Sequence, residues 1–241
     1  MLHKTKGIVL RTTNYAETSV VAKIYTQKFG LQAYLINGVK KPKAKIPLNM
    51  LQPMHLLDMV VYHKPNGNMQ RVKDVSSSPV LQTIPYDIVK SSIVIFLNEM
   101  IYKSIKQQHE DEVMFEFIAK SIELLDHSEY GIANFHLIFL LKLTRFLGFH
   151  PDLGGAERFN FFDLKEGVFV ANQPPHTFFI EADLKTQWLQ LFKNSIENFE
   201  ELRISSPVRK VLLNKIIEYY SFHIEDFGLV KSHEILEEVL A

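Results

Sequence analysis

Hydrophobic positions along the first 80 residues recur at the short intervals that are typical of β-strands. The runs are separated by Gly, Asn and Pro turns, among them Phe29-Gly30 and Asn37-Gly38. The predicted strands are Thr5–Arg11, Ser19–Tyr25, Leu31–Ile36, Leu56–His63 and Met69–Val75, and the predicted turn before the last one is Pro65-Asn66-Gly67-Asn68. Five short strands in about 75 residues predict a small closed barrel of the OB or SH3-like type.

Beyond Ser76-Ser77-Ser78-Pro79 the hydrophobic period becomes that of α-helices. We therefore predict a barrel domain over residues 1–79 and a helical domain over residues 80–241, an α+β multidomain fold. The predicted helices are Asp87–Gln107, Met114–Leu125, Ile132–Leu147, Asp183–Ser195, Val208–Asp226 and Ser232–Leu240. Residues 154–180 break this pattern and predict an inserted β-hairpin. We expect its six phenylalanines to form a small core against the helices, and the alternative is a surface that binds a partner.

Charge is divided unevenly along the chain, although 27 Lys and Arg balance 27 Asp and Glu overall. Residues 1–80 hold twelve basic and three acidic residues, a net charge of +9, and the remaining 161 residues carry −9. Such asymmetry indicates a module that binds nucleic acid or a membrane surface. No apolar run approaches the length of a membrane span, since Leu137–Leu141 is bounded by His136 and Lys142, and no signal peptide precedes the first strand.

The strongest local feature is a lysine loop, residues 40–45, with four lysines in six residues. Lysine is a flexible point charge, so such a loop can follow a phosphate backbone without reading bases. Tyr25, Tyr34 and Tyr62 are candidates for stacking on bases, and the alternative is that they pack in the core or at the rim of the barrel. The predicted nucleic-acid contacts are Arg11, Lys23, Tyr34, Lys40, Lys41, Lys43, Lys45, Arg71 and Lys73.

No pattern in the sequence supports a chemical step. The absence of cysteine excludes disulfides, cysteine-ligated zinc, iron–sulfur clusters and thiol nucleophiles. The phosphate-loop, dinucleotide, nucleophile-elbow and zinc-protease motifs are absent from the sequence as well. The acidic run Glu110-Asp111-Glu112 is interpreted as the start of a helix rather than as a catalytic pair. We therefore predict a binding protein that is not an enzyme, with no catalytic residue and no metal.

Motifs near both ends of the chain resemble one bacterial family. Four N-terminal motifs occur in order: Gly7-Ile8-Val9-Leu10, Tyr15-x-Glu17, Tyr25-Thr26-x-x-x-Gly30 and Asn37-Gly38-Val39-Lys40-Lys41. Three more lie near the C-terminus: Arg209-Lys210-x-Leu212, Tyr219-Tyr220-x-x-His223 and Lys231-Ser232-x-x-Ile235-Leu236. Together they resemble RecO, the family of bacterial recombination mediators.

The resemblance implies an N-terminal OB-fold, a C-terminal helical domain and a role in recombinational DNA repair. It implies non-specific binding of single- and double-stranded DNA and annealing of complementary strands. It also implies that the protein, together with RecR, helps RecA to replace single-strand-binding protein. It further implies that the helical domain binds the C-terminal tail of single-strand-binding protein. Candidates for that contact, chosen as bases near helix surfaces, are Lys90, Lys103, Lys142 and Arg145.

This sequence departs from many members of that family in its insert. Those relatives carry four cysteines as a zinc site where residues 154–180 stand here, and this chain has none. We expect no zinc and no cofactor, and we expect the Phe-rich insert to supply an apolar core instead. The resemblance places the protein in the bacterial cytoplasm, associated with the nucleoid and not with a membrane.

Two alternatives of other classes remain open from the residues. A basic barrel does not distinguish RNA from DNA, so an OB-fold RNA-binding or translation factor is one alternative. The other is a non-enzymatic adaptor whose basic face binds an acidic protein. Competition between matched DNA and RNA strands distinguishes the first, and charge reversal of the lysine loop distinguishes the second.

Overall fold

The computed structural model describes residues 1–65, 67–105 and 109–241. Asn66 of the predicted turn and Gln107 at the predicted end of the first helix lie outside the described residues. The chain divides into two compact units, residues 1–127 and 128–241. The first unit holds the barrel together with two helices, and the predicted domains 1–79 and 80–241 stay a prediction.

The first unit begins with a closed five-stranded barrel. Its strands are β1 (Leu2–Asn14), β2 (Val20–Thr26), β3 (Gly30–Ile36), β4 (Leu56–Tyr62) and β5 (Gln70–Ser77). They close in the order β1-β2-β3-β5-β4, with β3 and β5 parallel and the other pairs antiparallel. This is the OB-fold, so the predicted barrel is confirmed. The strand β1 is longer than predicted because it pairs with both β2 and β4 and shifts register between Val9 and Arg11.

The barrel interior is filled by alternate residues of its strands, including Val9, Ile24 and Met59, each at most 2% exposed. Gly7 lies where β1 passes closest to this core. A Cβ added there would lie 2.6 Å from Met59 Sδ and 2.7 Å from Ile24 Cγ2, well inside contact distance. The absence of a side chain at residue 7 therefore lets the strands close around the packed core.

Two helices complete the first unit, α1 (Ile88–Ser104) and α2 (Glu112–His127). Asn98 of α1 donates a hydrogen bond from Nδ2 to the carbonyl oxygen of Leu10 at 2.9 Å. Near the start of α2, the Tyr25 hydroxyl donates to the carbonyl oxygen of Asp111 at 3.3 Å. Since the described barrel and these helices share polar contacts as well as apolar ones, they form one packed body.

The second unit contains four α-helices and a small sheet. The helices are α3 (Phe135–Leu147), α4 (Lys185–Lys193), α5 (Ser206–His223) and α6 (Ser232–Val239), and the strands are β6 (Phe161–Asp163), β7 (Val168–Val170) and β8 (Phe179–Ile180). The sheet order is β7-β6-β8, so the predicted hairpin is β6–β7 and a third strand extends it. In both described units, no helix is long and apolar enough to cross a membrane.

The insert has an aromatic core, as its composition predicts. Phe162 is fully buried, with its ring 5.1 Å from that of Phe169 and 5.3 Å from that of Trp188, centroid to centroid. Gly167, in the β6–β7 turn, has φ +70° and lies so close to α5 that an added Cβ would be 2.9 Å from the Tyr219 hydroxyl. Among the described residues, no group of three His, Asp or Glu is arranged to hold a metal ion.

Candidate nucleic-acid interface

The lysine loop follows β3 and is held by two apolar anchors. Val39 before it and Ile46 after it are 3% and 8% exposed and belong to the barrel core. Lys40, Lys41, Lys43 and Lys45 between them are all exposed. The anchors supply the burial that orders the loop, so its charges stay in water at the barrel surface.

Within the loop, Lys45 is bound differently from the other lysines. Its ammonium lies 3.2 Å from Asp74 Oδ1 and 3.4 Å from the carbonyl oxygen of Lys73, both on β5. Lys40, Lys41 and Lys43 form no ion pair with any described residue. Three of the four charges are therefore uncompensated, which favours binding of a polyanion.

The strand register brings other predicted residues into rows across the outer face of the barrel. One row places Lys23 of β2 between Arg11 of β1 and Ala33 of β3. The next row runs in the order Thr13, Val21, Leu35, Arg71 and Tyr62. Paired residues of neighbouring strands project to the same side of a sheet, so this face carries cations together with apolar groups. OB-folds bind single strands on the face of strands 2 and 3.

Arg11 has a contact of its own on this face. Its guanidinium lies 5.5 Å from the ring centroid of Tyr102 on α1, within cation–π distance. The side chain remains exposed, and the ring holds it at the junction of β1 and α1. Arg71 and Lys73 on β5 are also exposed.

The structure corrects the prediction for Tyr34. This side chain points into the barrel, is fully buried and belongs to the core, so it has no face on which a base can stack. Its register explains this, since Tyr34 pairs with Ala22 and with Gln70, which are buried as well. Burial raises the pKa of its hydroxyl, an effect that the Thr26 side chain opposes.

Of the other two tyrosines, only Tyr62 offers a surface. Tyr25 projects outward from β2, but α2 covers it: its ring lies 5.9 Å from that of Phe115 and its exposure is 1%. Burial, with a smaller contribution from Asp111, raises the pKa of the Tyr25 hydroxyl. Tyr62 is 47% exposed and pairs with Arg71. It therefore combines an aromatic face with a neighbouring cation, as single-strand binding requires.

Two of the predicted partner contacts lie on α1. Lys90 is 4% exposed, and its ammonium donates to Thr83 Oγ1 at 2.6 Å and to the carbonyl oxygen of Asp126 at 2.9 Å. The prediction that Lys90 meets a partner is therefore corrected, because its charge is used inside the protein. Lys103 is half-buried, 3.9 Å from Glu99 one turn earlier.

The other two, Lys142 and Arg145, form a cationic cluster on α3 with His150. The Lys142 ammonium donates to the carbonyl oxygen of Phe192 at 2.8 Å. Burial lowers the pKa of Lys142, Arg145 lowers it further, and Glu197 opposes both. Arg145 Nε donates to His150 Nε2 at 3.3 Å, and Thr144 Oγ1, which donates to Leu141, lies 3.0 Å from His150 Nδ1.

These contacts favour the neutral form of His150. Its Nε2 accepts from Arg145, an arrangement that suits a neutral ring with its proton on Nδ1, the nitrogen that faces Thr144 Oγ1. The pKa of His150 is lowered, mainly by burial and then by the positive charges of Arg145 and Lys142. A hydrogen bond with the backbone at Leu141 opposes this change only in part. The positive charge of the cluster is therefore carried by Lys142 and Arg145.

Sequence reasoning missed several residues at the barrel surface. Tyr15, in the β1–β2 loop, is 62% exposed, and Lys4, Lys6 and Lys28 line a groove on the barrel. The alternation of apolar and polar positions in β1 was the available signal, since it places Lys4 and Lys6 on the outer face. Their proximity to β4 and β5 depends on barrel closure, which a local pattern does not contain.

The closed OB barrel, with three uncompensated lysines in its loop, defines a protein of the OB-fold binding class, joined to a helical C-terminal region. Two family profiles cover nearly all of the chain: "Recombination protein O N terminal" matches residues 1–78 and "Recombination protein O C terminal" matches residues 85–233. The chain therefore belongs to the RecO family of DNA repair proteins.

Individual relatives agree with this assignment along the whole chain. The chain is 34% identical over 239 residues to the DNA repair protein RecO of Azobacteroides pseudotrichonymphae genomovar. CFP2. It is 34% identical over 240 residues to that of Bacteroides fragilis and 35% identical over 243 residues to that of Flavobacterium psychrophilum. In each comparison the alignment covers 99% of both chains.

Proposed function

We propose that this protein is a non-enzymatic recombination mediator that binds single- and double-stranded DNA without sequence preference and anneals complementary strands. In this role it acts with RecR to help RecA replace single-strand-binding protein, in the bacterial cytoplasm and on the nucleoid. Family membership supports the repair role, and the surface of the barrel supports the manner of DNA binding.

The observation that carries the proposal is the lysine loop on a closed OB barrel. Lys40, Lys41 and Lys43 are exposed and uncompensated among the described residues, and the buried anchors Val39 and Ile46 hold the loop at the surface. Lysines contact phosphates, which every sequence shares, so binding through this loop is non-specific.

From the loop, the proposed strand path crosses the outer face of the barrel. Arg71 and Lys73 of β5 and Lys23 of β2 supply further phosphate contacts, and Arg11 lies at the end of the path beside Tyr102. Tyr62 takes the stacking role that was predicted for Tyr34. About five neutralised phosphates give a slope of log K against log salt near −3.5 for single strands.

For the tail of single-strand-binding protein, we propose the Lys142–Arg145 cluster on α3. Two positive charges lie there beside the main chain at Phe192 and the ring of His150, which is 5.7 Å from that of Phe192, a combination of charge and rings suited to an acidic peptide with an apolar residue. A tethered partner raises the local concentration of the coated strand around the barrel, so exchange and annealing proceed without ATP hydrolysis.

The experiment that tests the proposal is annealing of complementary strands coated with single-strand-binding protein. We expect the variant K41Q/K43Q to anneal several-fold more slowly than the wild type and to show a shallower salt dependence of DNA binding. A suitable control is K120Q/R158Q, which removes two exposed charges far from the lysine loop in sequence. Equal losses in both variants would contradict a specific role for the loop.

Two further measurements separate the parts of the proposal. A tail peptide of single-strand-binding protein should bind the wild type and bind K142Q/R145Q at least several-fold more weakly. A matched RNA strand should not displace bound DNA efficiently. Preferential binding of RNA would instead favour the alternative of an RNA-binding factor.

A further inference from the structure

A groove of about 570 Å³ lies on the barrel across β1, β4 and β5. Its charged lining consists of three lysines and two aspartates: Lys4, Lys6, Lys28, Asp58 and Asp74. The strand register places positive and negative side chains near one another. Lys6 of β1 pairs with Asp58 of β4, and Val60 of β4 lies between Lys4 of β1 and Asp74 of β5. The groove therefore presents its own anions among its cations.

Asp74 connects this groove with the lysine loop. Its Oδ1 lies 3.2 Å from the ammonium of Lys45 and also accepts from the backbone N–H of Val75 at 3.2 Å. Within the described chain, Lys45 is the one lysine of the loop that has a carboxylate partner. The side chains of the pair are 70% and 56% exposed, so the contact is accessible to a competing anion.

The Asp74 carboxylate and a phosphate group offer the Lys45 ammonium the same kind of anionic acceptor. Carboxylate and phosphate oxygens both accept charge-assisted hydrogen bonds from an ammonium at about 2.7–2.9 Å. An exposed ion pair contributes little to stability, so it opens without unfolding the loop, which Val39 and Ile46 hold independently. After release, the Asp74 carboxylate remains in a groove lined by Lys4 and Lys6.

We propose that the Asp74 carboxylate occupies, at Lys45, the place of a backbone phosphate, so that a nucleic-acid strand must displace it to use this lysine. Asp74 is thus a positioning residue that keeps Lys45 at the edge of the groove and lowers the affinity for DNA. The inference rests on the proposed function, because it concerns the same loop and the same ligand. It further implies that most wild-type complexes leave Lys45 paired with Asp74, so that removing the carboxylate adds about one phosphate contact to the complex.

The test compares D74N with D58N in binding to a short oligothymidylate across a range of salt concentrations. D74N should bind the oligothymidylate roughly two- to fivefold more tightly than the wild type at low salt. This change in affinity corresponds to the free energy of one exposed ion pair. Its slope of log K against log salt should be steeper by about 0.7, the value for one additional phosphate of a single strand. D58N removes the same charge from the same groove but breaks no ion pair among the described residues, so its slope should remain that of the wild type.

A second background isolates Lys45. In K45A, the further substitution D74N should leave affinity and slope unchanged, since the competed lysine is gone. An equal gain from D58N, or a gain from D74N that persists in K45A, would show a general charge effect and overturn the proposal. If the wild type binds DNA and D74N binds it equally well, this inference alone is overturned. If the wild type does not bind DNA, the proposed function is overturned and this inference with it.

Discussion

The ammonium of Lys90, on α1, lies 2.9 Å from the main-chain carbonyl oxygen of Asp126, in the last turn of α2. The carboxylate of the same Asp126 accepts hydrogen bonds from the backbone N–H groups of Gln82, Thr83 and Ile84, at 2.7 to 2.9 Å. The segment that leaves the barrel is therefore fixed to both helices of the first unit. A buried polar network of this kind stabilises only while every member keeps its partner.

Replacing Asp126 by alanine should destabilise the first unit by about 3 kcal/mol or more. The substitution removes the charged acceptor of three backbone donors, of which that of Ile84 is buried, and a hydrogen bond to a charged group contributes about 1.5–3 kcal/mol. Urea unfolding followed by circular dichroism measures the change. Glu123→Ala, on the same helix and half-buried, should cost less than about 1 kcal/mol and serves as the control. Similar losses in both variants would argue against the network.

The same carboxylate gives an acid-dependent contribution to stability. Burial alone raises the pKa of Asp126, but the hydrogen bonds from Gln82, Ile84 and Thr83 lower it below its ordinary value of 3.8. A group whose pKa is lower in the folded state stabilises fully above its unfolded pKa. This contribution should therefore be present above about pH 4 and be lost as the pH falls through the folded pKa of Asp126.

His136 should make the second unit less stable as the pH falls below 6.5. It is fully buried, and burial, with a smaller effect from Arg209, lowers its pKa from 6.5 to about 3. Between these values the unfolded chain takes up a proton that the folded chain does not, so stability decreases by up to about 1.4 kcal/mol per pH unit.

Urea unfolding monitored by fluorescence measures this dependence, because Trp188 is the single tryptophan of the sequence and lies in the second unit. His136→Gln cannot titrate, so its stability should fall less steeply than that of the wild type between about pH 6.5 and pH 5. Parallel profiles for the two proteins would contradict the assignment.

Two glycines that flank α3 should differ in their tolerance of alanine. Both have positive φ, +68° at Gly131 and +84° at Gly148, so either substitution costs about 1 kcal/mol in backbone strain. At Gly131 the new Cβ also meets the Cα of Glu200 at 2.8 Å, whereas nothing lies within 4 Å at Gly148. Gly131→Ala should cost at least about 2 kcal/mol more than Gly148→Ala in Trp188-monitored unfolding, and equal costs would contradict the close packing at Gly131.

Tyr62, and not Tyr34, should contribute to binding of single-stranded DNA. Loss of one base–aromatic stack costs about 1–3 kcal/mol, so Tyr62→Ala should weaken binding to an oligothymidylate by about five- to 150-fold. Tyr34→Phe keeps the buried ring and removes only the hydroxyl, so it should leave the affinity within about twofold. Fluorescence anisotropy with labelled DNA measures both, and a larger loss from Tyr34→Phe would contradict the assignment of faces.

Much of the architecture was contained in local sequence patterns. The alternation in residues 1–80 predicted five strands at nearly the observed positions, because each strand buries every second side chain in the barrel. The Phe-rich run predicted the insert and its core, although the third strand, β8, has only two residues and lies below what periodicity detects. The exposed lysine loop was predicted as well, since four charges in six residues cannot be buried.

By itself, then, the sequence determined the two classes of secondary structure, the division of charge along the chain and its kinship with the RecO motifs. Only the tertiary structure decided which side of each element meets solvent. Tyr34 and Tyr62 look alike as strand tyrosines, yet one lies in the barrel core and the other on its surface. Lys90 looks like any helix-surface base until α1 packs beside Asp126. Burial and ion pairing depend on strand register and helix packing between segments distant in sequence, so no local pattern specifies them.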